Sequence, residues 1–312
     1  MEDITNWHHV PKEKTAVALG LFDGVHKGHQ LVISRVVDSK PQYKATVFTF
    51  KTDTVTSKGY GGKIQMLIND EEKQRRFDEQ GVDYIYCSDF SSLKDMSDED
   101  FVRKILIGKL NAGYVACGAD FRFGKGAMGN AQRLCELGRK YGIKVEVVNQ
   151  LVYNGEVISS TEIRNLISEG KISQANKLLG YNYGYTLYVE HGFHRGSTWD
   201  FPTINQSIPK GLVLPKFGVY CSKVTIDGEA YRGVTNIGVK PTVKENIAGP
   251  LAETFIIDFS GDLYGQIIKI ELYEFVRPER MFDSFDELKA EISRNTEFTK
   301  QYFADRDKSL NS

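Results

Sequence analysis

The stretch that decides the fold of the first half is Thr15-Ala-Val-Ala-Leu-Gly-Leu-Phe-Asp-Gly-Val-His-Lys-Gly-His29. Its opening residues, Thr15–Phe22, form a short and mostly apolar run, which is typical of a strand covered on both faces. The residues that follow change to helical spacing, and they predict an amphipathic helix over His29–Ser39. A strand that passes through a glycine-containing loop into a helix is the opening unit of an open parallel sheet.

Strands and helices continue to alternate along the first half, which predicts a doubly wound, Rossmann-like parallel sheet with right-handed crossovers. Asp70 and Ser97 are the predicted N-caps of two of the helices, and Gly81 is a predicted stop. The further predicted strands are Ala45–Phe50, Val82–Cys87, Gly113–Cys117 and Ile143–Val148, and the further predicted helices are Asp70–Gln80, Asp98–Leu110 and Ala131–Tyr141.

The pattern changes near Asn182, after a predicted helix pair over Thr161–Leu179 that ends at Gly180. Asp227-Gly228 is a strong hairpin signal. Short strands with few intervening helices predict a small antiparallel barrel or sandwich, closed by a helix over Ser284–Arg294. We therefore predict two domains, 1–182 and 183–312. The predicted strands of the second are Tyr185–Glu190, Val219–Ile226, Ala230–Asn236, Glu253–Phe259 and Ile267–Phe275.

Composition limits the classes of partner. The formal net charge of −1 gives no electrostatic argument for binding nucleic acid or a membrane. We expect neither a signal peptide nor a membrane span, because no apolar run is long enough. The four cysteines have neither zinc-site nor disulfide spacing, so we expect thiols in a reducing cytoplasm. The sequence does not determine the oligomeric state.

Two histidines follow the first strand at a place suited to phosphate. His26 and His29 are three residues apart, so both side chains can point to one place. The N-terminus of a helix presents free N–H groups and a partial positive charge, which attract phosphate. Gly24 and Gly28 would let the backbone approach a ligand. Imidazole N–H groups in this position could stabilise an oxyanion that gains charge during a reaction.

A second cluster, Ser159-Ser-Thr-Glu-Ile-Arg164, begins the predicted helix pair. Ser159 and Glu162 fit a capping box, which is a purely structural arrangement. The same helix start could also bind phosphate through its hydroxyls and Arg164. The two interpretations are compatible, because a capped helix start is itself an anion site.

These motifs together resemble the bacterial FAD synthetase branch of the nucleotidyltransferase superfamily. The resemblance rests on GxFDGxHxGH at Gly20–His29, on SSTxIR, on Gly118-Ala-Asp-Phe-Arg-Phe-Gly124, and on Glu72-Lys73 with Gly81-Val-Asp83. It covers most of residues 15–180. It implies transfer of an adenylyl group from ATP to FMN, giving FAD and pyrophosphate, with Mg²⁺ bridging phosphates.

The resemblance also implies roles for individual residues. His26 and His29 would contact the ATP phosphates, and Asp120 would lie near the nucleotide, at its ribose. Where the family carries Pro-His-Pro, this chain has Lys51-Thr-Asp-Thr-Val-Thr56, a departure that bears on flavin affinity. The other implied nucleotide-binding residues are Gly20, Phe22, Asp23, Gly24 and Gly28 in the first loop, and Ser160, Thr161 and Arg164 around the triphosphate.

The second half resembles riboflavin kinase, which moves the γ-phosphoryl group of ATP onto the 5′-hydroxyl of riboflavin. The resemblance rests on Phe201-Pro-Thr-Ile-Asn205 after His191-Gly192 and Arg195-Gly196, with support from Gly218-Val-Tyr220, Asn236-Ile-Gly238, Pro241-Thr242 and Asp262–Gly265. It implies that Thr203 and Asn205 bind Mg²⁺ and ATP, and that Glu253 is the general base.

Three departures from the kinase pattern, Ser197, Trp199 and Asp200, leave open a weakened or inactive kinase. A lost guanidinium and an added carboxylate weaken the attraction for a triphosphate. Two further alternatives are a nucleotidyltransferase with another phosphate substrate and a flavin-binding regulatory protein. The predicted small-molecule partners are ATP, riboflavin, FMN and FAD.

Overall fold

The computed structural model describes residues 1–52, 65–190, 203–239 and 249–310, except the side chain of Leu310. The chain divides into two compact units, Met1–Ser160 and Thr161–Ser312. The domain boundary predicted from the sequence, between residues 182 and 183, differs from the boundary between these compact units. It concerns the two catalytic domains and stays a prediction. No helix of the described ranges is long and apolar enough to cross a membrane.

The first unit is built on a six-stranded sheet with the order β1-β4-β3-β2-β5-β8, in which every pair is parallel. All five residues of β2 are buried, as expected for a strand covered on both faces. The strands are β1 (Glu2–Asp3), β2 (Thr15–Leu19), β3 (Lys44–Phe50), β4 (Tyr84–Ser88), β5 (Ala112–Gly118) and β8 (Lys144–Val148), beside two short hairpins, β6 (Arg122–Phe123) with β7 (Gly129–Asn130) and β9 (Val152–Tyr153) with β10 (Glu156–Val157).

The order of the strands reverses between β2 and β5. From β2 the chain proceeds outward through β3 and β4 on one side, and through β5 and β8 on the other. Ligands of open parallel sheets bind beyond the carboxyl ends of the strands at such a reversal. Leu19 pairs with Cys117, so the loop after β2 and the loop after β5 leave the sheet side by side.

The helices of the first unit begin close to the predicted positions. Ser97 caps its helix as predicted, because its Oγ accepts from the Asp100 N–H at 3.1 Å. The prediction of Asp70 as an N-cap is wrong: the Asn69 side chain accepts from the Glu72 N–H at 2.9 Å, and Asp70 is the first helical residue. The helices are α1 (Lys27–Val37), α2 (Asp70–Glu79), α3 (Phe90–Leu93), α4 (Asp98–Asp100) with a π-helical continuation over Phe101–Ile107, and α5 (Ala131–Tyr141).

The second unit contains a six-stranded antiparallel sheet with the order β11-β16-β13-β14-β15-β12. An isolated bridge between Glu190 and Asn205 links its two edges, so the sheet is a nearly closed barrel. Asp227-Gly228 forms the predicted hairpin, with Ile226 paired to Glu229. The strands are β11 (Gly184–Tyr188), β12 (Thr203–Ser207), β13 (Gly218–Ile226), β14 (Glu229–Val239), β15 (Pro250–Ile256) and β16 (Ile267–Arg277).

The predicted fold class, a parallel α/β sheet followed by a small antiparallel barrel with a C-terminal helix, is confirmed. The sequence analysis did not predict strand β12, and the last helix extends beyond the predicted end at Arg294. The remaining helices are α6 (Ser160–Ser168), α7 (Ile172–Leu179) and α8 (Phe285–Leu310).

A buried lysine fixes the carboxyl end of β3. Lys73 is fully buried in α2, where its Nζ donates to the carbonyl oxygen of Phe50 at 2.7 Å and pairs with Asp70 at 3.0 Å. The Asp70 carboxylate also accepts from the backbone N–H and hydroxyl of Thr52. The ion pair therefore anchors the chain where it leaves the central sheet.

Lys73→Met should lower the free energy of unfolding by about 3 kcal/mol, because it leaves a partly buried carboxylate and a carbonyl without their cation. The methionine keeps the apolar stem packed. The matched control, Lys104→Met, removes an exposed i,i+4 pair with Asp100 and should cost less than about 0.5 kcal/mol. Urea unfolding followed by circular dichroism measures both changes, and equal costs would contradict the anchoring role.

Candidate active sites

A left-handed turn leads from β2 into α1. Phe22, Gly24 and Val25 have φ angles of 54°, 78° and 36°. A Cβ on Gly24 would lie 2.5 Å from Cδ1 of Leu67, so this position requires glycine by conformation and by space. The Phe22 ring packs edge-on against Phe77 and covers the backbone of Gly20.

The two histidines are brought together at the N-terminus of α1. Their rings stack with centroids 3.5 Å apart and an interplanar angle of 19°. His26 is the N-cap, because its Nδ1 accepts from the His29 N–H at 3.4 Å. Gly28 permits this arrangement, since a Cβ there would lie 3.2 Å from the His26 ring. An accepting Nδ1 places the proton of a neutral His26 on Nε2.

His29 is held as a neutral imidazole. Burial, and secondarily the neighbouring His26, lower the pKa of His29 well below its ordinary value of 6.5. Its Nδ1 is buried and has no hydrogen-bond partner among the described residues. Its ring also meets Phe22 edge-on, at a centroid distance of 5.3 Å. A neutral imidazole still offers one N–H to an oxyanion, at a helix terminus that favours negative charge.

Part of the second cluster lies beside this turn. The Ser160 hydroxyl donates to the backbone carbonyl of Asp23 at 2.9 Å. A Cβ on Gly28 would lie 3.8 Å from the carbonyl oxygen of Ile158, so residues 158–160 pass close to the start of α1. Thr161 and Arg164 follow in the first turns of α6, within the second compact unit.

Asp120 lies in the turn that follows β5, on the side of the sheet where the strand order reverses. It is exposed, and its Oδ1 would lie 2.8 Å from a Cβ on Gly118. The turn closes through a hydrogen bond from the Phe121 N–H to the Gly118 carbonyl at 3.1 Å. The carboxylate is therefore exposed in the turn after β5, the strand that neighbours β2, and the sequence predicts that it lies near a nucleotide ribose.

The predicted kinase residues lie on one patch of the barrel. The Thr203 hydroxyl donates to Oε1 of Glu253 at 3.0 Å, and Asn205 is the register partner of Glu253 across β12 and β15. Glu253 is exposed, whereas Asn205 is buried. The structure thus brings all three predicted residues together. A carboxylate in an alternating strand does not by itself indicate a catalytic residue. The resemblance to riboflavin kinase is therefore what identifies Glu253.

Two residues extend this patch without having been predicted as functional. Asn236 is the register partner of Glu253 on the other side, in β14, and its Nδ2 donates to Oε1 of Glu279 at 3.2 Å. Directly paired residues point to the same face of a sheet, so Asn205, Glu253 and Asn236 form a row. Polar residues are common at outward positions of strands, so the residue type alone does not mark Asn236 as functional. Its pairing with Glu253 in the strand register is what places it in the patch.

Several positions of the sequence motifs fall outside the described residues. They include residues 53–56 of the segment that replaces Pro-His-Pro. They also include the kinase motif residues His191, Gly192, Arg195, Gly196, Ser197, Trp199, Asp200, Phe201, Pro202, Pro241 and Thr242.

Comparison with protein-family models assigns the two halves separately. Residues 9–162 match the family described as FAD synthetase, and residues 179–303 match the family described as riboflavin kinase. The class of protein is therefore a transferase with two catalytic domains of flavin biosynthesis, as the sequence motifs predicted.

Individual relatives match over nearly the whole chain. A bifunctional riboflavin kinase/FMN adenylyltransferase of Buchnera aphidicola is 34% identical over 97% of this chain and 98% of its own length. The protein of that description in Bacillus subtilis is also 34% identical, over 96% and 97%. A Streptococcus pneumoniae structure described as a macrolide-efflux protein shares the fold, with a TM-score of 0.82 and 28% identity over 93% of this chain and 95% of that chain. The chain belongs to the bifunctional riboflavin kinase/FMN adenylyltransferase family.

The pKa of His29 has a consequence for stability. The unfolded chain binds a proton at His29 as the pH falls below about 6.5, whereas the folded chain resists it. The free energy of unfolding should therefore fall between pH 7 and pH 5, by at most about 1.4 kcal/mol per pH unit from this group. His29→Gln should reduce this dependence in urea unfolding, and His8→Gln, at an exposed position, should keep it. An unchanged dependence in His29→Gln would be incompatible with a folded state that keeps this imidazole neutral.

Proposed function

We propose that the first half of this chain transfers the adenylyl group of ATP to FMN, and that the second half transfers the γ-phosphoryl group of ATP to riboflavin. The observation that carries the first assignment is the stacked pair of imidazoles at the N-terminus of α1, beyond the point where the strand order reverses. The observation that carries the second is the contact between Thr203 and Glu253, beside the register partner Asn205.

Adenylyl transfer proceeds by direct displacement. A phosphate oxygen of FMN attacks the α-phosphorus of ATP, the bond from that phosphorus to the β-phosphate oxygen breaks, and pyrophosphate leaves. Negative charge moves onto the leaving group, and the N–H groups of His26 and His29 stabilise it at the positive end of α1. Ser160, Thr161 and Arg164 hold the triphosphate by hydrogen bonds and charge.

The nucleotide is held by backbone and side chains of the first unit. A Cβ at Gly24 would clash with Leu67 and one at Gly28 would crowd the His26 ring, so the two glycines preserve the turn that leads to the backbone N–H groups at the start of α1, where phosphate would bind. Asp120, exposed after β5, accepts hydrogen bonds from the ribose hydroxyls. The protein thus contributes positioning and charge stabilisation, with no covalent intermediate.

Phosphorylation of riboflavin needs a group that accepts a proton. The 5′-hydroxyl of riboflavin attacks the γ-phosphorus of an ATP molecule bound to the second half. The hydroxyl proton passes to the Glu253 carboxylate, and ADP leaves. The Thr203 hydroxyl, 3.0 Å from Oε1 of Glu253, orients the carboxylate until the substrate arrives. Glu253 is exposed and therefore accessible to a hydroxyl substrate.

The residues of the kinase patch suit Mg²⁺, which prefers oxygen ligands and is commonly held by one or two protein groups together with substrate phosphates. Thr203 and Asn205 supply a hydroxyl and an amide oxygen. Within the described ranges, no group of three or more His, Cys, Asp or Glu side chains could hold a metal ion. Bound Mg²⁺ would neutralise charge on the phosphates.

The two catalytic domains would divide between residues 182 and 183, and the protein would act in the cytoplasm on ATP, riboflavin and FMN. The break between the family matches, after residue 162 and before residue 179, supports a boundary in or near the helix pair α6–α7. Four free cysteines, three of them buried, support a reducing compartment.

Release of pyrophosphate tests the proposal. The purified protein should release one pyrophosphate for each FAD formed from FMN, ATP and Mg²⁺. Binding of FMN and ATP without release would favour the alternative of a regulatory flavin-binding protein. The assay should include a reaction without FMN as its control.

His29→Ala should lower FAD formation from FMN by at least about 100-fold, because a donor to the developing oxyanion is lost. The same preparation should form FMN from riboflavin at the wild-type rate, and this activity is the internal control for folding. Chromatography of the flavin products measures both rates. Equal losses of the two activities would contradict separate sites.

Glu253→Gln should lower riboflavin phosphorylation by about 100-fold or more, because the amide cannot accept the hydroxyl proton. Conversion of FMN to FAD should remain unchanged. The matched control is Glu297→Gln, at an exposed position of α8, which should retain both activities. Kinase activity at the wild-type level in Glu253→Gln would remove this residue from the role of base.

A further inference from the structure

Asp23 is a buried carboxylate inside the turn that presents the two histidines. Its side chain is only 2% exposed. The turn around it is strained, because Phe22 and Val25 are non-glycine residues with positive φ angles of 54° and 36°. Such a residue is unfavourable by itself and persists only where the surrounding structure holds it.

Hydrogen bonds at Asp23 tie this turn to two other parts of the chain. Oδ1 of Asp23 accepts from the backbone N–H of Leu67 at 2.8 Å, and the backbone carbonyl of Asp23 accepts from the Ser160 hydroxyl at 2.9 Å. Leu67 is buried and also lies against Gly24. Three segments that are distant in sequence therefore meet at Asp23.

We propose that Asp23 is a positioning residue, whose carboxylate holds the strained turn by binding the Leu67 N–H and so sets the place of His26 and His29. This inference rests on the proposed adenylyl transfer. It differs from the sequence-based assignment of Asp23 to nucleotide binding. The turn ends at Val25, and the N-cap His26 follows directly, so a shift of the turn moves both imidazoles.

The chemistry of the contact separates positioning from direct binding. A backbone N–H needs an acceptor oxygen of suitable geometry, and an asparagine carbonyl at the same place provides one. A residue that acts on a cation or on a phosphate-bound metal needs the negative charge, which asparagine lacks. Asp23→Asn and Asp23→Ala therefore give different results under the two roles.

We expect Asp23→Asn to retain kcat for FAD formation within about fivefold, since the asparagine carbonyl still accepts from the Leu67 N–H, although through a weaker bond. Asp23→Ala leaves the buried Leu67 N–H without its acceptor and should lower kcat by about 100-fold, because the histidines are displaced. Riboflavin phosphorylation in the same preparations reports on the integrity of the second half. Asp95→Ala, at an exposed position of the first unit, is the control and should match wild type.

A spectroscopic readout makes the test independent of turnover. The imidazole ¹⁵N signals of His26 and His29, assigned with His26→Gln and His29→Gln, should be displaced in Asp23→Ala and nearly unchanged in Asp23→Asn. Equal losses of activity with undisturbed imidazole signals in both variants would show that the charge acts directly, and would overturn the proposal. Undisturbed signals and full activity in Asp23→Ala would also overturn it. A wild-type protein without FAD formation would refute the proposed function, while the signals would still decide the role of Asp23.

Discussion

The hydrogen bond from the Leu67 N–H to the buried Asp23 carboxylate is the contact on which the first site depends. The turn from Phe22 to Val25 is unfavourable by itself, since two of its non-glycine residues adopt left-handed angles. The turn directly precedes α1, so its conformation determines where the helix N-terminus and both imidazoles lie. Strain of this kind is expected where a backbone must be held in one position for function.

Both halves of the chain must accommodate the charge that changes during transfer of a phosphate-containing group, and their side chains offer different chemistry for it. In the first half, we propose that neutral imidazole N–H groups and a helix N-terminus stabilise negative charge; the pKa of His29 is lowered by desolvation and by the neighbouring His26. In the second half, the proposed proton acceptor is the exposed carboxylate of Glu253, which lies between the amide of Asn205 and the hydroxyl of Thr203. The family assignment and the local chemistry therefore agree for each half.

The sequence predicted those features that depend on local patterns. The mostly apolar strand β2, the Ser97 cap and the Asp227-Gly228 hairpin all follow from neighbours along the chain. Features that depend on distant contacts were missed. The burial of Lys73 requires β3 and α2 to be adjacent, and β12 becomes a strand because it pairs with β15. Asn69 and Asp70 are both good N-caps, so local preference could not decide between them.

Isotope-labelled ATP can show which phosphorus atom each half of the chain transfers to a flavin. The protein is given riboflavin, Mg²⁺ and ATP labelled at either the α- or the γ-phosphorus, and the flavin products are separated by chromatography. We expect γ-label in both FMN and FAD, and α-label in FAD alone. If the α-label enters no flavin product, the first half does not transfer an adenylyl group, and the central claim is contradicted.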